Sequence, residues 1–370
     1  MRILRENRVE DGVRNLVSDL VGMAFENGFR SEEIFAHGEA PNGPWYSVTG
    51  CGPGAGDALA VFLLAPQVVS LTRQADNIKL FSGGFNPRSV MVFVFRLLSR
   101  LPLSVLHALG NLLGRLIYLL SPTYRRNLRA NVAQAGLPAE ICWPAAGETG
   151  KQMLELARIW MRPLAEANAL VVDTVGLELV KAAQAEGKGI VFLTPHLGCF
   201  EITAQYLSSL GDITVLYRPP KFAAGQELIL MGRKRANLHL APADVSGVRA
   251  LIKALKKGQM VGMLPDQAPK TGEGVWLKFF GRYAYTMTLA ARLTETNAVS
   301  LLTWGERLPG GRGYRIHFAQ PSQPLSGNTV ERAQQINHEV ENLIRLCPTQ
   351  YLWGYNRYKR PGGADAPPEA

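Results

Sequence analysis

The sequence predicts an α/β fold, a layered sheet flanked by helices, preceded by an N-terminal membrane-associated helical segment. Three observations carry this expectation. Beyond residue 150, short apolar runs alternate with longer stretches of helical periodicity, the pattern of strands joined by helices. One run, 189–194, is apolar almost throughout, as a buried strand requires. The chain has 370 residues, enough for a full core, and 47% are hydrophobic, ordinary for a globular protein.

Residues 1–90 stand apart. Residues 1–30 mix acids with bases, unlike a secretory leader. Residues 35–57 are rich in Gly, Pro and small side chains. The apolar patch 58–71 is too short to cross a bilayer comfortably. Two readings stay open: 1–90 is a poorly ordered extension, or Met91 is the true start and the preceding residues come from an upstream start assignment.

Residues 91–149 form a basic, apolar, helical region. Arg96, Arg100, His107, Asn111 and Arg115 recur at steps of four and seven residues, so they fall along one side of a helix otherwise made of Leu, Val, Phe and Ile. Pro102 is expected to kink or split that helix. The residues favour an amphipathic anchor at an anionic membrane surface; the alternative is a core helix that buries its arginine stems. Between 91 and 139 there are six arginines and no acid, which attracts anionic head groups and marks the cytoplasmic side.

The α/β domain is expected over 150–360. A helix spans 153–166. Strands are predicted at 189–194, 213–217, 236–241, 260–264, 299–304 and 314–319. Helices are predicted near 200–210, 223–235, 246–257, 284–297 and 329–346. The Pro- and Gly-rich tail 361–370 is expected to be disordered. No internal repeat is present.

A formal charge of +10 calls for an anionic partner. Anionic lipid and an acidic carrier protein fit. Nucleic acid ranks last, since neither zinc-finger spacing nor an RNA-recognition aromatic motif occurs. Cys51, Cys142, Cys199 and Cys347 are scattered and read as reduced, structural cysteines. No ligand cluster suggests a metal.

The chemistry centres on His196. It follows the strand 189–194 and Pro195, and so stands at the carboxyl end of a strand, where open α/β sheets place their sites. Glu201, five residues on, falls in the first turn of the next helix, close enough to hold one imidazole nitrogen. A carboxylate that fixes the tautomer leaves the other nitrogen free to take a proton from a hydroxyl. Arg218 follows the strand 213–217 and can grip phosphate or polarise a carbonyl. Asp266 and Gln267 follow the strand 260–264; they orient an acceptor or shape the loop around His196, or Asp266 simply stabilises a turn. Arg233-Lys234-Arg235 either meets phosphates or an acidic carrier, or is a solvated helix face. Phe279-Phe280 with Gly281 either packs in the core or walls an apolar slot. Trp353, Tyr355, Arg357, Tyr358 and Lys359 form an interfacial edge or pack in the core.

The His196-x4-Glu201 stretch resembles the His-x4-Asp/Glu motif of glycerolipid-type acyltransferases, and more closely the lipid A biosynthesis acyltransferases, the lauroyl/myristoyl transferase family. Tyr217-Arg218-Pro219, Pro265-Asp266-Gln267, Phe279-Phe280-Gly281 and the closing 350–359 segment extend the resemblance over about 91–359. The Phe-Pro-Glu-Gly-Thr block of the glycerol-phosphate branch is absent, with Pro265-Asp266-Gln267 about where it would stand. The resemblance implies a glycerolipid-acyltransferase-like fold and attachment to the cytoplasmic face of the inner membrane. It further implies acyl transfer from an acyl carrier protein thioester to a hydroxyl of a Kdo-bearing lipid A precursor, with no cofactor beyond that co-substrate. In that reading His196 and Glu201 are catalytic, while Arg218, Asp266 and Gln267 bind substrate. Two alternatives remain: an acyltransferase for another phosphoglycolipid, such as a phosphatidylinositol mannoside, and a non-catalytic lipid-binding protein. A hydrolase is disfavoured because no Gly-x-Ser-x-Gly elbow appears.

Overall fold

A computed structural model describes residues 87–218 and 223–369. Most of the 1–90 segment, Cys51, Pro219 and Pro220 lie outside these residues. The strands are β1 (Val171–Val175), β2 (Ile190–Leu193), β3 (Ile213–Tyr217), β4 (Leu238–Pro242), β5 (Met260–Met263), β6 (Gly274–Phe279), β7 (Arg282–Met287), β8 (Val299–Arg307) and β9 (Tyr314–Ala319). The α-helices are α1 (Pro87–Leu98), α2 (Leu103–Leu120), α3 (Pro122–Gln134), α4 (Cys142–Met161), α5 (Leu164–Asn168), α6 (Leu177–Ala185), α7 (Phe200–Leu210), α8 (Ala223–Arg233), α9 (Val245–Lys256), α10 (Leu289–Thr294) and α11 (Thr329–Leu346).

Seven strands make one sheet in the order β1-β9-β8-β2-β5-β3-β4. The five from β8 to β4 are mutually parallel; β9 runs antiparallel to β8, and β1 runs parallel to β9. β2 and β5 are adjacent at the centre, and every residue of both is buried, which is why both read as unbroken apolar runs. Their register pairs Leu193 with Met263. His196 and Asp266 each lie three residues past that last pair, so the two chains leave the sheet side by side and deliver both side chains to one place.

Local chemistry sets the ends of the helices. Asp244 caps α9 by accepting from the N–H groups of Ser246 and Gly247. Asn328 and Glu331 form a reciprocal capping box at the start of α11. Pro102 separates α1 from α2, as its missing N–H and fixed φ require.

α2 is turned the opposite way from an ordinary surface helix. Its polar side, with His107 and Asn111, faces α4, and Gly110 and Gly114 let the two backbones meet. A Cβ on Gly110 would stand 2.6 Å from the Gly150 carbonyl oxygen. The opposite side exposes Val105, Leu109, Leu112, Leu116 and Leu119, and α1 adds Phe93 and Leu97. α2 is also long and apolar enough to cross a membrane.

The structure corrects several expectations. The boundary placed near residue 150 falls inside α4, which packs on α2, so the basic region 91–149 and the sheet share one structure. The helix predicted over 153–166 is longer, begins at Cys142, and breaks before Pro163. The helix predicted over 284–297 is strand β7 followed by the short α10. β6 and β7 form a hairpin closed by Phe280 (φ 48°) and Gly281 (φ 78°), the pair of left-handed residues that a two-residue turn demands. The tail 361–369 is not disordered: Thr271 donates to the Gly362 carbonyl, Trp276 to the Asp365 carbonyl, and Ala364 is buried.

Candidate active site

His196 sits in a loop fixed from several sides. Thr194 N–H donates to the Met263 carbonyl at 2.9 Å, which carries the chain off the sheet in register. The His196 carbonyl accepts from Leu352 N–H at 3.1 Å. Gly198 adopts φ 60°, and a Cβ there would lie 2.0 Å from the Gly305 carbonyl oxygen, so this close approach to β8 excludes any other residue. The next N–H, of Cys199, donates to that same carbonyl at 2.7 Å. The imidazole is buried and lies edge-on to Phe200, with ring centroids 5.0 Å apart.

Asp266 grips this histidine twice. The ring donates from Nδ1 to Oδ1 at 2.8 Å, and the His196 backbone N–H donates to Oδ2 at 3.0 Å. Burial pushes the Asp266 carboxyl up, but the facing His196 ring and the hydrogen bonds outweigh it and hold the carboxyl below its ordinary value. With Nδ1–H committed to a carboxylate, the neutral ring carries its lone pair on Nε2. The Gln267 amide nitrogen lies 3.2 Å from that atom. The arrangement can take a proton from a hydroxyl brought to Nε2.

Glu201 is the main correction at the site. Its carboxylate does not reach His196. Arg233 grips it through Nε (3.2 Å to Oε2) and through Nη2 to Oε1, and Trp160 Nε1 donates to Oε2 at 3.0 Å. The helix geometry explains this. Phe200 faces the imidazole, and Glu201 is one step of about 100° further round α7. Burial opposes the charge on Arg233, yet the Glu201 carboxylate outweighs it and raises the guanidinium pKa. Gly232 lets α8 close on Trp160; a Cβ there would lie 2.2 Å from the indole ring. Beside this pair, Phe192, Phe200, Leu207 and Val215 line an apolar cavity of about 50 Å³ between α7 and the sheet.

Arg218 stands at the end of β3, on the same rim of strand ends, but does not touch His196. Its side chain is 54% exposed, and Nη2 lies 3.8 Å from Glu273. Of the basic run only Lys234 is exposed, as a solvated face requires. Arg233 is tied to Glu201, and Arg235 donates to Gln205 and to the Ile159 and Arg162 carbonyls, so both bind α8 inward. Phe279 and Phe280 pack in the core with Trp353 and Tyr358, away from the cavity. Arg357 is buried and donates to the Tyr285 carbonyl and to Thr286, so the closing segment is core rather than an interfacial edge. Burial raises the Cys199 thiol pKa well above its ordinary value, in keeping with a packed cysteine. Sequence reasoning missed three residues behind the loop, Glu155, Arg307 and Gln350. Glu155 and Arg307 are a buried acid and base far apart in sequence, and nothing short of the fold pairs them.

A histidine held by a carboxylate stands at the carboxyl ends of parallel strands, with an arginine on the same rim, an arrangement able to take a proton from a hydroxyl. The chain belongs to the bacterial lipid A biosynthesis acyltransferase family, whose profile matches residues 86–360. It is 28% identical over 288 residues to the lipid A biosynthesis lauroyltransferase of Escherichia coli K12, covering 73% of this chain and 90% of that one. It is 26% identical over 280 residues to the lipid A biosynthesis palmitoleoyltransferase of the same organism, covering 71% and 88%. With the lipid A biosynthesis acyltransferase of Haemophilus influenzae it shares 26% identity over 184 residues, 49% of this chain and 57% of that one. The chain is therefore an acyltransferase.

Proposed function

We propose that this enzyme moves a fatty acyl chain from an acyl carrier protein thioester to a hydroxyl of a Kdo-bearing lipid A precursor, at the cytoplasmic face of the inner membrane. The observation that carries the reading is the His196–Asp266 pair, which leaves Nε2 as the acceptor of a hydroxyl proton. The acceptor hydroxyl displaces the Gln267 amide from Nε2 and gives up its proton there. Its oxygen attacks the thioester carbonyl. The resulting imidazolium faces the Asp266 carboxylate, and the tetrahedral intermediate collapses with loss of the carrier thiolate, which takes the proton back from Nε2.

Arg218 stands exposed at the mouth, suited to the phosphates of the acceptor or to the acidic carrier. Gln267 helps to place the acceptor oxygen. Glu201 acts at one remove, by keeping α8 and α4 closed beneath the site. The leucine face of α2, with the exposed Arg96, Arg100, Arg126 and Arg129 around it, fits insertion among the acyl chains of an anionic leaflet.

The test offers labelled acyl carrier protein thioesters of several lengths, with the Kdo-bearing precursor, to membranes containing the protein. Transfer by wild type and its loss by about 10²–10⁴-fold in His196→Ala is the expected result. Transfer that survives His196→Ala refutes the mechanism, and absence of transfer with every donor refutes the substrate assignment.

A further inference from the structure

Against the His196 loop lies a buried charge cluster that the mechanism above does not use. Arg307, the last residue of β8, forks onto Glu155 of α4, with Nε 2.8 Å from Oε2 and Nη2 2.7 Å from Oε1. Both side chains are buried. The same Nη2 donates at 2.9 Å to the carbonyl of Gly198, two residues from His196. The N–H of Gly198 donates at 3.0 Å to the Gln350 carbonyl. The Gln350 side chain in turn brackets the Arg307 backbone, accepting from its N–H at 2.8 Å and donating to its carbonyl at 3.0 Å. The Gly198 residue is thus gripped at both its N–H and its carbonyl. On the other side, Glu155 Oε2 accepts from Tyr314 and meets His107 Nε2 of α2, each at 3.0 Å.

Burying a charged pair is expensive, and an apolar pair of similar shape often gives an equally stable core. Arg307 supplies something an apolar residue does not: a fixed donor on the carbonyl that sets the path of the His196 loop. We infer that Arg307 is a positioning residue for the His196 base, seated by Glu155 and, through His107, by the apolar helix α2. The inference rests on the acyl-transfer reading only for its kinetic arm. The alignment of a base with its proton tolerates little displacement, and an error near 1 Å costs about a hundredfold in rate. The chain of contacts also makes α2 part of the catalytic scaffold, because its polar side ends on the carboxylate that seats Arg307.

The test is Arg307→Lys in the full-length protein, which keeps the charge but not the fork. Amide hydrogen exchange followed by mass spectrometry reads the 195–199 loop without any substrate. Steady-state transfer reads kcat and KM with the acyl carrier protein thioester and the lipid A precursor. The expected result is faster exchange in the loop, with β2 and β5 still protected, and a fall in kcat of about a hundredfold while KM stays within about twofold. Unchanged loop exchange, or kcat within about twofold of wild type, overturns the inference. If Arg307→Lys does not fold, Tyr314→Phe replaces it, since it removes one hydrogen bond to Glu155 and keeps the ring. That variant is expected to raise loop exchange and lower kcat about fivefold; wild-type behaviour there makes the cluster a strut and nothing more. Wild-type protein that shows no transfer removes the substrate assignment and leaves the exchange arm to decide the positioning role.

Discussion

Two buried acids, Asp266 and Glu201, flank the same short stretch of chain and do different work. Asp266 comes from the neighbouring strand end and meets both the ring and the backbone N–H of His196, with Tyr351 beside it. Glu201 comes from the motif itself and spends its oxygens on Arg233 and Trp160. The first pairing leaves the other ring nitrogen, Nε2, beside the Gln267 amide. The second holds α8 and α4 against α7 beside the apolar cavity. Closeness in sequence therefore does not decide which acid orients a base; the strand order of the sheet does. The same contrast separates the two sides of α2, where the polar side is buried and the leucine side is exposed.

The largest expected effect is at Asp266. Asp266→Asn keeps the shape of the site but no longer favours Nδ1–H, and transfer should fall by about 10³–10⁴-fold with the thermal midpoint little changed. Rapid-quench measurement of single turnovers checks it. Glu201→Gln should act mainly on the fold: Arg233 loses its counter-charge inside the protein, which costs about 3–5 kcal/mol. Denaturant unfolding measures that loss, and adding Arg233→Met should recover part of it. Activity per folded molecule should fall far less in Glu201→Gln than in Asp266→Asn.

Next come the exposed leucines. Leu109→Glu with Leu116→Glu should move the protein from membranes to the soluble fraction, since each exposed leucine contributes up to about 2 kcal/mol to insertion, while folding is retained. Sedimentation with anionic vesicles reads this. The pH arm concerns a third buried acid, Glu155. Burial pushes its carboxyl up, but Arg307 and His107 outweigh that and hold it at about 2 against an ordinary 4.5. A depressed carboxyl gives stability that is fully present above about 4.5 and is lost as pH falls towards 2. Thermal midpoints measured down through that window should fall in wild type, and the part due to this group should be absent in Glu155→Gln.

The sequence carried the central strands and most helices because their apolar runs and periodicity are local. It placed His196, Asp266 and Gln267 at strand ends for the same reason. It did not reveal that β2 and β5 are neighbours, and that adjacency alone brings Asp266 to His196. β1, mostly exposed at the sheet edge, has its apolar run cut short by Asp173. β7 was hidden because it runs straight into the helix-forming Leu289–Thr294, and the hairpin turn uses Phe280 where a glycine or asparagine would signal it. The tail looked disordered from its prolines and glycines, yet its backbone carbonyls dock on Thr271 and Trp276, contacts that composition does not encode. The polar stripe of α2 was legible as a stripe, but its direction was not, because the glycines that draw it onto α4 read as ordinary small residues.

The tautomer of His196 tests the account most directly. Nitrogen NMR of protein labelled at its six histidines, with His196→Ala to assign the signal, distinguishes a protonated Nδ1 from a protonated Nε2. In wild type the tautomer with the proton on Nδ1 is expected, kept in Glu201→Gln and lost in Asp266→Asn. A ring protonated at Nε2, or a tautomer that changes in Glu201→Gln and not in Asp266→Asn, would contradict it.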